Sequence, residues 1–252
     1  MAFGNQKTVY TGSRPLDQAE FDAGLRAHML RVYNYMASGL ALTGIFAIVI
    51  AQMSFVTNEA GQLIGYTSLG QTLFGSPLKW VVMLAPLGLV FFLSARIHAL
   101  KQTTAQAVFW IYAALMGVSF AVILIQFTGA SVARVFFITA GTFAAMSIWG
   151  YTTKKDLSGM GSFLFMGLIG IIIASIVNIF IGSSALQFAI SVIGVLVFVG
   201  LTAYDTQSIK NEYAEHLDEE TQGKLAISGA LRLYLDFINL FIMLLHLFGD
   251  RR

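Results

Sequence analysis

The chain has 252 residues, 57% hydrophobic and only 11% charged, against roughly 25% charged residues in soluble domains, so it is expected to reside in a lipid bilayer. A formal charge of +2 carried by scattered basic residues offers no nucleic-acid-binding face. With no cysteine, disulfides, thiolate chemistry and cysteine-bound zinc are excluded.

Residues 1–31 are polar where a signal peptide would place its apolar core, so the first apolar run is expected to act as an uncleaved anchor. The stretch before it, with charges of both signs and Gly12, Pro15 and Gly24, reads as a partly ordered tail on the cytoplasmic membrane surface. Residues 32–252 are expected to form one all-α membrane domain. Its spans fall at about Tyr35–Phe55, Leu78–Ile97, Ala105–Phe127, Val135–Gly150, Ser162–Ile181, Leu186–Thr202 and Leu225–Phe248, each near the roughly 20 apolar residues a crossing helix needs. Between the first two lies a Gly-rich, almost uncharged connection expected to lie against the membrane or fold back into it. Pro86 is expected to kink the second span by removing a backbone hydrogen bond. The fourth span is short, which predicts tilt or help from flanking residues. Spans five and six, joined by IGSS, form a tight hairpin. KNEYAEHLDEETQGK after Asp205 is the one charge-dense segment and reads as a solvated loop. Counting Lys and Arg on alternating sides gives ten inside against four outside when the amino terminus is cytoplasmic, which sets that orientation. An odd number of spans then places the carboxyl terminus outside, although the basic tail GDRR runs against the bias.

The last span is expected to sit inside the bundle, because it carries Arg232 and Asp236 within its apolar run. A carboxylate at a helix centre costs about 2.5 to 3.5 kcal/mol on insertion scales, so such a residue faces protein or water and has a partner. Asp205, at the end of the sixth span, is the second intramembrane acid. On these boundaries the two acids lie roughly 8 Å and 17 Å from the loop that joins their helices. They can meet only if the sixth helix runs on toward Tyr213 or the seventh starts later. In contact they could not both ionise cheaply and would titrate as one unit, a proton switch. Deprotonated, they offer oxygens suited to a hard cation such as calcium, which takes six to eight oxygen ligands. Arg96, ending the second span on the same side, is a candidate counter-ion. So is Arg232, whose spacing of four residues from Asp236 also allows the two to neutralise each other on one helix face.

His28, His98, His216 and His246 lack the paired spacing of a metal site, the last span has no lysine for a retinal pigment, and no serine–histidine pair lies deep in the spans. No enzymatic activity or bound organic cofactor is expected; conduction, sensing or partner binding is.

The segments TTKKDLSGMGSFLFMGLIG, AYDTQ at Ala203–Gln207 and LYLDFINLF at Leu233–Phe241 resemble the bacterial branch of the Bax inhibitor-1 family, with similarity from about Tyr33 to the end. The resemblance implies six helices wrapped around a central seventh, and a pH-sensitive calcium leak channel of the bacterial inner membrane governed by a di-aspartyl sensor, with a role in ion homeostasis or stress response. The sensor acids correspond to Asp205 and Asp236, and a latching arginine on the second helix corresponds to Arg96. Arg232 departs from the small or polar residue expected there. Two other functions compete: a non-conducting regulator that binds a membrane-anchored protease or another membrane protein, and a proton-coupled transporter, for which no inverted repeat is evident.

Overall fold

The computed structural model describes residues 15–252 apart from Ala60, Gly61, His98 and Glu215, and the side chains from residue 20 onward. Residues 1–14 of the expected tail, together with His98 and Glu215, lie outside the described residues. Within the described residues, eight helices and one small hairpin follow in order: α1 (Pro15–Ser54), β1 (Phe55–Thr57), β2 (Leu63–Tyr66), α2 (Ser68–Leu73), α3 (Leu78–Arg96), α4 (Gln102–Gln126), α5 (Gly129–Thr152), α6 (Ser158–Ile181), α7 (Ser184–Glu212) and α8 (Glu219–Phe248). Seven of these helices, all but α2, are long and apolar enough to cross a membrane. The all-α membrane fold expected from hydropathy is therefore the observed one.

Three boundaries differ from the sequence expectation. The helix α1 runs unbroken through residue 31, and Leu25, His28 and Met29 on its early turns are buried, so from Pro15 the polar stretch is part of the first helix rather than a separate tail. The fourth span is not short: α5 has 24 residues, because the polar turns at Gly129–Arg134 and Tyr151–Thr152 are helical too. Most consequential, α7 continues eight residues past Tyr204 to Glu212, through sequence too polar for lipid but favourable for helix. The connection after the first span contains the antiparallel β1–β2 hairpin and α2, and Thr67 caps α2 by accepting from the Gly70 N–H at 3.1 Å.

The turns have local causes. Gly182 ends α6 at φ 66°, a left-handed conformation that suits a residue without Cβ, and Ser183 then caps α7 by accepting from the Leu186 N–H. Pro86 sits inside α3, so the carbonyl of Val82 one turn earlier loses its helical donor, and the Ser119 hydroxyl of α4 donates to that carbonyl at 2.7 Å.

The enclosed element is α8. In its apolar window 56% of residues are buried, against 11% in both α3 and α6. It packs against α1, α4, α5 and α7, while α3 leans on α4 and α6 on α7. The Tyr234 hydroxyl fixes its rotation by donating at 2.7 Å to Thr43, whose own hydroxyl donates to the Gly39 and Ala113 carbonyls. On α5 and α7 a second hydroxyl chain, Tyr33 to Ser147 to Thr206 to the Thr202 carbonyl, ties three helices together. The carboxyl-terminal residues are pinned to the α4–α5 turn: the Thr128 N–H donates to the Asp250 carbonyl, the Arg252 N–H to that of Gln126, and Arg134 pairs with Asp250 at 2.9 Å. Because α8 is one continuous helix from its loop to that turn, it is long enough to cross and does not fold back as a re-entrant hairpin, and GDRR lies at the end of the bundle opposite the α7–α8 loop.

Candidate functional site

The site lies between the legs of the α7–α8 hairpin. Ile209 packs where a Cβ of Gly229 would stand, and Met243 does the same at Gly194, a register that sets Asp205 of α7 within one turn of Asp236 on α8. The extension of α7 to Glu212 meets the condition set by the sequence for the two acids to approach. Their carboxyls lie within hydrogen-bonding reach of each other. Tyr234, two positions before Asp236, points toward α1 and α4; about 200° of helical rotation turns Asp236 the other way, toward α7. Asp236 is 4% exposed, and its Oδ2 has no hydrogen-bond donor. Two carboxyls at such range can share a hydrogen bond only when one of them holds a proton.

Of the two candidate counter-ions, the structure brings Arg232 to the pair and leaves Arg96 away from it. The Arg232 Nη1 lies 3.8 Å from Asp205 Oδ1, and Nη2 lies 2.5 Å from Glu212 Oε2. Ser208 completes this cluster, accepting from Arg232 Nη1 at 3.3 Å while its hydroxyl donates to Glu212 at 3.1 Å. Arg96 is exposed at the end of α3 and makes no ion pair with either acid among the described residues. The physical reason is placement: α3 packs on α4, and in its last turn Leu93 is buried while Arg96 stands on the exposed side. Arg232 also does not simply neutralise Asp236 on its own helix; its ion pairs cross to α7. Sequence reasoning assigns Glu212 to a soluble loop and passes over Ser208. Positions 205, 208 and 212 share one helix face, so the spacing holds that signal once helix is allowed to continue past the lipid boundary.

Three acids, Asp205, Asp236 and Glu212, thus face one guanidinium. The next cation along α7, Lys210, is engaged elsewhere, donating to the Tyr151 carbonyl at 2.8 Å and lying over the Tyr151 ring. With all groups ionised the cluster is negative by two charges, and one shared proton still leaves it negative by one. Among the described residues no group of three or more His, Cys, Asp or Glu is disposed to hold a metal. Asp205 and Asp236 therefore do not form a closed calcium cage of six to eight protein oxygens; a hard cation meeting them would keep most of its water. The described histidines lie apart: the His28 ring lies 5.5 Å from that of Tyr213, tilted by 37°, and His246 meets Gln187.

Asp205, Arg232 and Asp236 border a cavity of about 1020 Å³. On α8 its lining recurs at Arg232, Leu235, Asp236, Asn239 and Met243, one helical stripe roughly 17 Å long. Apolar residues of α3 and α6 form the opposite walls.

Residues 25–252 match the family model described as Inhibitor of apoptosis-promoting Bax1. The chain is 46% identical to the uncharacterized protein RP147 of Rickettsia prowazekii, covering 98% of both chains. It is also 46% identical to the inner membrane protein YbhL of Escherichia coli, covering 91% of this chain and 94% of that one, and 45% identical to an uncharacterized protein of Caulobacter vibrioides over 96% and 97%. On a match of this extent, and with seven candidate spans of which the acid-bearing last is the most buried, the chain belongs to the Bax inhibitor-1 family.

Proposed function

We propose that the protein is a pH-sensitive leak pathway for calcium or a similar cation, with Asp205 and Asp236 as its proton sensor and Arg232 as the counter-ion that holds the sensor closed. One observation carries the reading: two carboxyls from neighbouring helices meet in a largely buried site that borders a cavity running along α8. The proton count of the pair decides its charge. With one proton shared, Asp205 and Asp236 attract each other across the α7–α8 seam; with none, they repel, and each helix loses a contact that holds the seam shut. A second proton removes the charge that keeps Arg232 beside Asp205 while leaving Arg232 its contact with Glu212. A pKa unit of differential stabilisation is about 1.4 kcal/mol, enough to change a ratio of closed to open states tenfold. Arg232 takes the latching role that the family resemblance gave to Arg96. The cation passes with water in place of a full protein shell, and the protein performs no covalent chemistry.

The excess of Lys and Arg on the side of the α7–α8 loop supports a cytoplasmic setting for that end and for the amino terminus, and the description of YbhL supports an inner-membrane setting. The test is calcium entry into dye-loaded vesicles containing the purified protein. Wild type is expected to leak with a pH-dependent rate, and Asp205→Asn with Asp236→Asn to remove that dependence. An unchanged pH profile in the double variant refutes the sensor, and no calcium entry above protein-free vesicles refutes the leak.

A further inference from the structure

The cavity is far larger than the ion its acids suggest. A water molecule occupies about 30 Å³ of liquid and drug-sized ligands fill pockets of about 300 to 1,000 Å³, whereas this space is about 1020 Å³. Its walls are also unlike an ion path. Leu87 on α3 and Phe165, Ile172, Ile176 and Ile179 on α6 line it, and all five are exposed on the outer face of the bundle as well. With α3 leaning on α4 and α6 on α7, the space opens sideways between α3 and α6, toward the hydrocarbon. At its inner face stands Asp236, almost fully buried, with an Oδ2 that no donor satisfies. Arg232, the only cation lining the cavity among the described residues, is held by Asp205 and Glu212, so the unbalanced charge beside the cavity is negative.

We infer that this lateral cleft is a binding site for amphipathic organic cations, which enter from the bilayer, lay an apolar body between α3 and α6, and set their charged head against Asp236. The charge selects among membrane-soluble ligands. An anionic amphiphile of the same shape meets a cluster of three acids whose one guanidinium is already engaged, whereas a quaternary or protonated cation supplies the countercharge that the cluster lacks. Binding here rests on the geometry of the acid cluster proposed above as the sensor, but not on conduction. Its readout is occupancy, so it can fail while the leak stands, or stand while the leak fails.

The test is equilibrium dialysis of the full-length protein in neutral detergent micelles against tetraphenylphosphonium, with tetraphenylborate as a probe of the same shape and opposite charge. Saturable tetraphenylphosphonium binding is expected, about tenfold or more weaker in Asp236→Asn. Ile176→Trp, which narrows the outer wall without touching the acids, is expected to weaken it several-fold and keeps the test decisive should Asp236→Asn fail to fold. Absence of saturable binding, equal affinity in a folded Asp236→Asn, or equal binding of tetraphenylborate overturns the proposal; the last would make the cleft a plain hydrophobic slot.

Discussion

Replacing Arg232 by methionine removes the guanidinium and keeps most of the side chain's apolar stem, so the loss reports on charge. The contact to Asp205 at 3.8 Å corresponds to about 4 kcal/mol of Coulomb attraction at an effective dielectric of ~20. That figure is an upper bound here, because the Arg232 side chain keeps 29% and that of Asp205 14% of its exposure. Exposed pairs are worth under about 1 kcal/mol, whereas breaking a fully buried pair costs about 3–5, which brackets this half-buried case at about 1–3 kcal/mol. Glu212 reaches closer, at 2.5 Å, but is itself 36% exposed and can turn to water when its partner is lost. The assay is reversible unfolding in mixed micelles for wild type, Arg232→Met, Asp205→Asn and the double variant. Arg232→Met is expected to destabilise by about 1–3 kcal/mol, and by much less when Asp205 is already neutral. A coupling below about 0.5 kcal/mol would show that Arg232 does not hold the acid pair and would refute its latching role.

Other consequences are local. Ser119→Ala leaves the Val82 carbonyl without the donor that replaces the missing N–H of Pro86, and is expected to cost about 1 kcal/mol in the same unfolding assay, whereas Ser119→Thr retains the hydroxyl and costs less. Gly182→Ala places a Cβ at φ 66° and is expected to destabilise the α6–α7 hairpin by about 1–2 kcal/mol, while alanine at Gly170, which meets nothing within 4 Å, is tolerated. Asp218 caps α8 by accepting from the Thr221 hydroxyl at 2.6 Å and its N–H at 3.0 Å, and these bonds hold its carboxyl below the usual carboxylate range. A depressed folded value means that the cap's contribution is present above the ordinary aspartate range and fades as pH falls through the lower folded value. The protection factor of the Thr221 amide, its exchange rate relative to the intrinsic rate at the same pH, is therefore expected to fall on acidification in wild type but not in Asp218→Asn.

Much of this arrangement is legible in the sequence because lipid imposes simple rules. Every span is recognisable as an apolar run, and intramembrane acids are costly enough that Asp205 and Asp236 stand out on hydropathy alone. The misplacements share one cause: hydropathy measures what enters lipid, not what is helical. It ends the sixth span at Thr202 although the backbone continues to Glu212, sets a boundary at residue 31 inside α1, and shortens α5 at both ends. The choice of Arg232 over Arg96 cannot be read from spacing, because it depends on how α3 is rotated against α4. The cavity is illegible for the same reason, since it arises where α3 and α6 fail to close on α8.

Infrared spectroscopy of the purified protein, titrated from mildly acidic to mildly alkaline pH with isotope-labelled aspartate, addresses the shared proton most directly. A proton held between the two acids predicts a protonated-carboxyl stretch near neutral pH that titrates in two linked steps and vanishes when Asp205 and Asp236 are both replaced by asparagine. Carboxylates that are both ionised throughout that range, or a protonated signal that survives the double replacement, would contradict it.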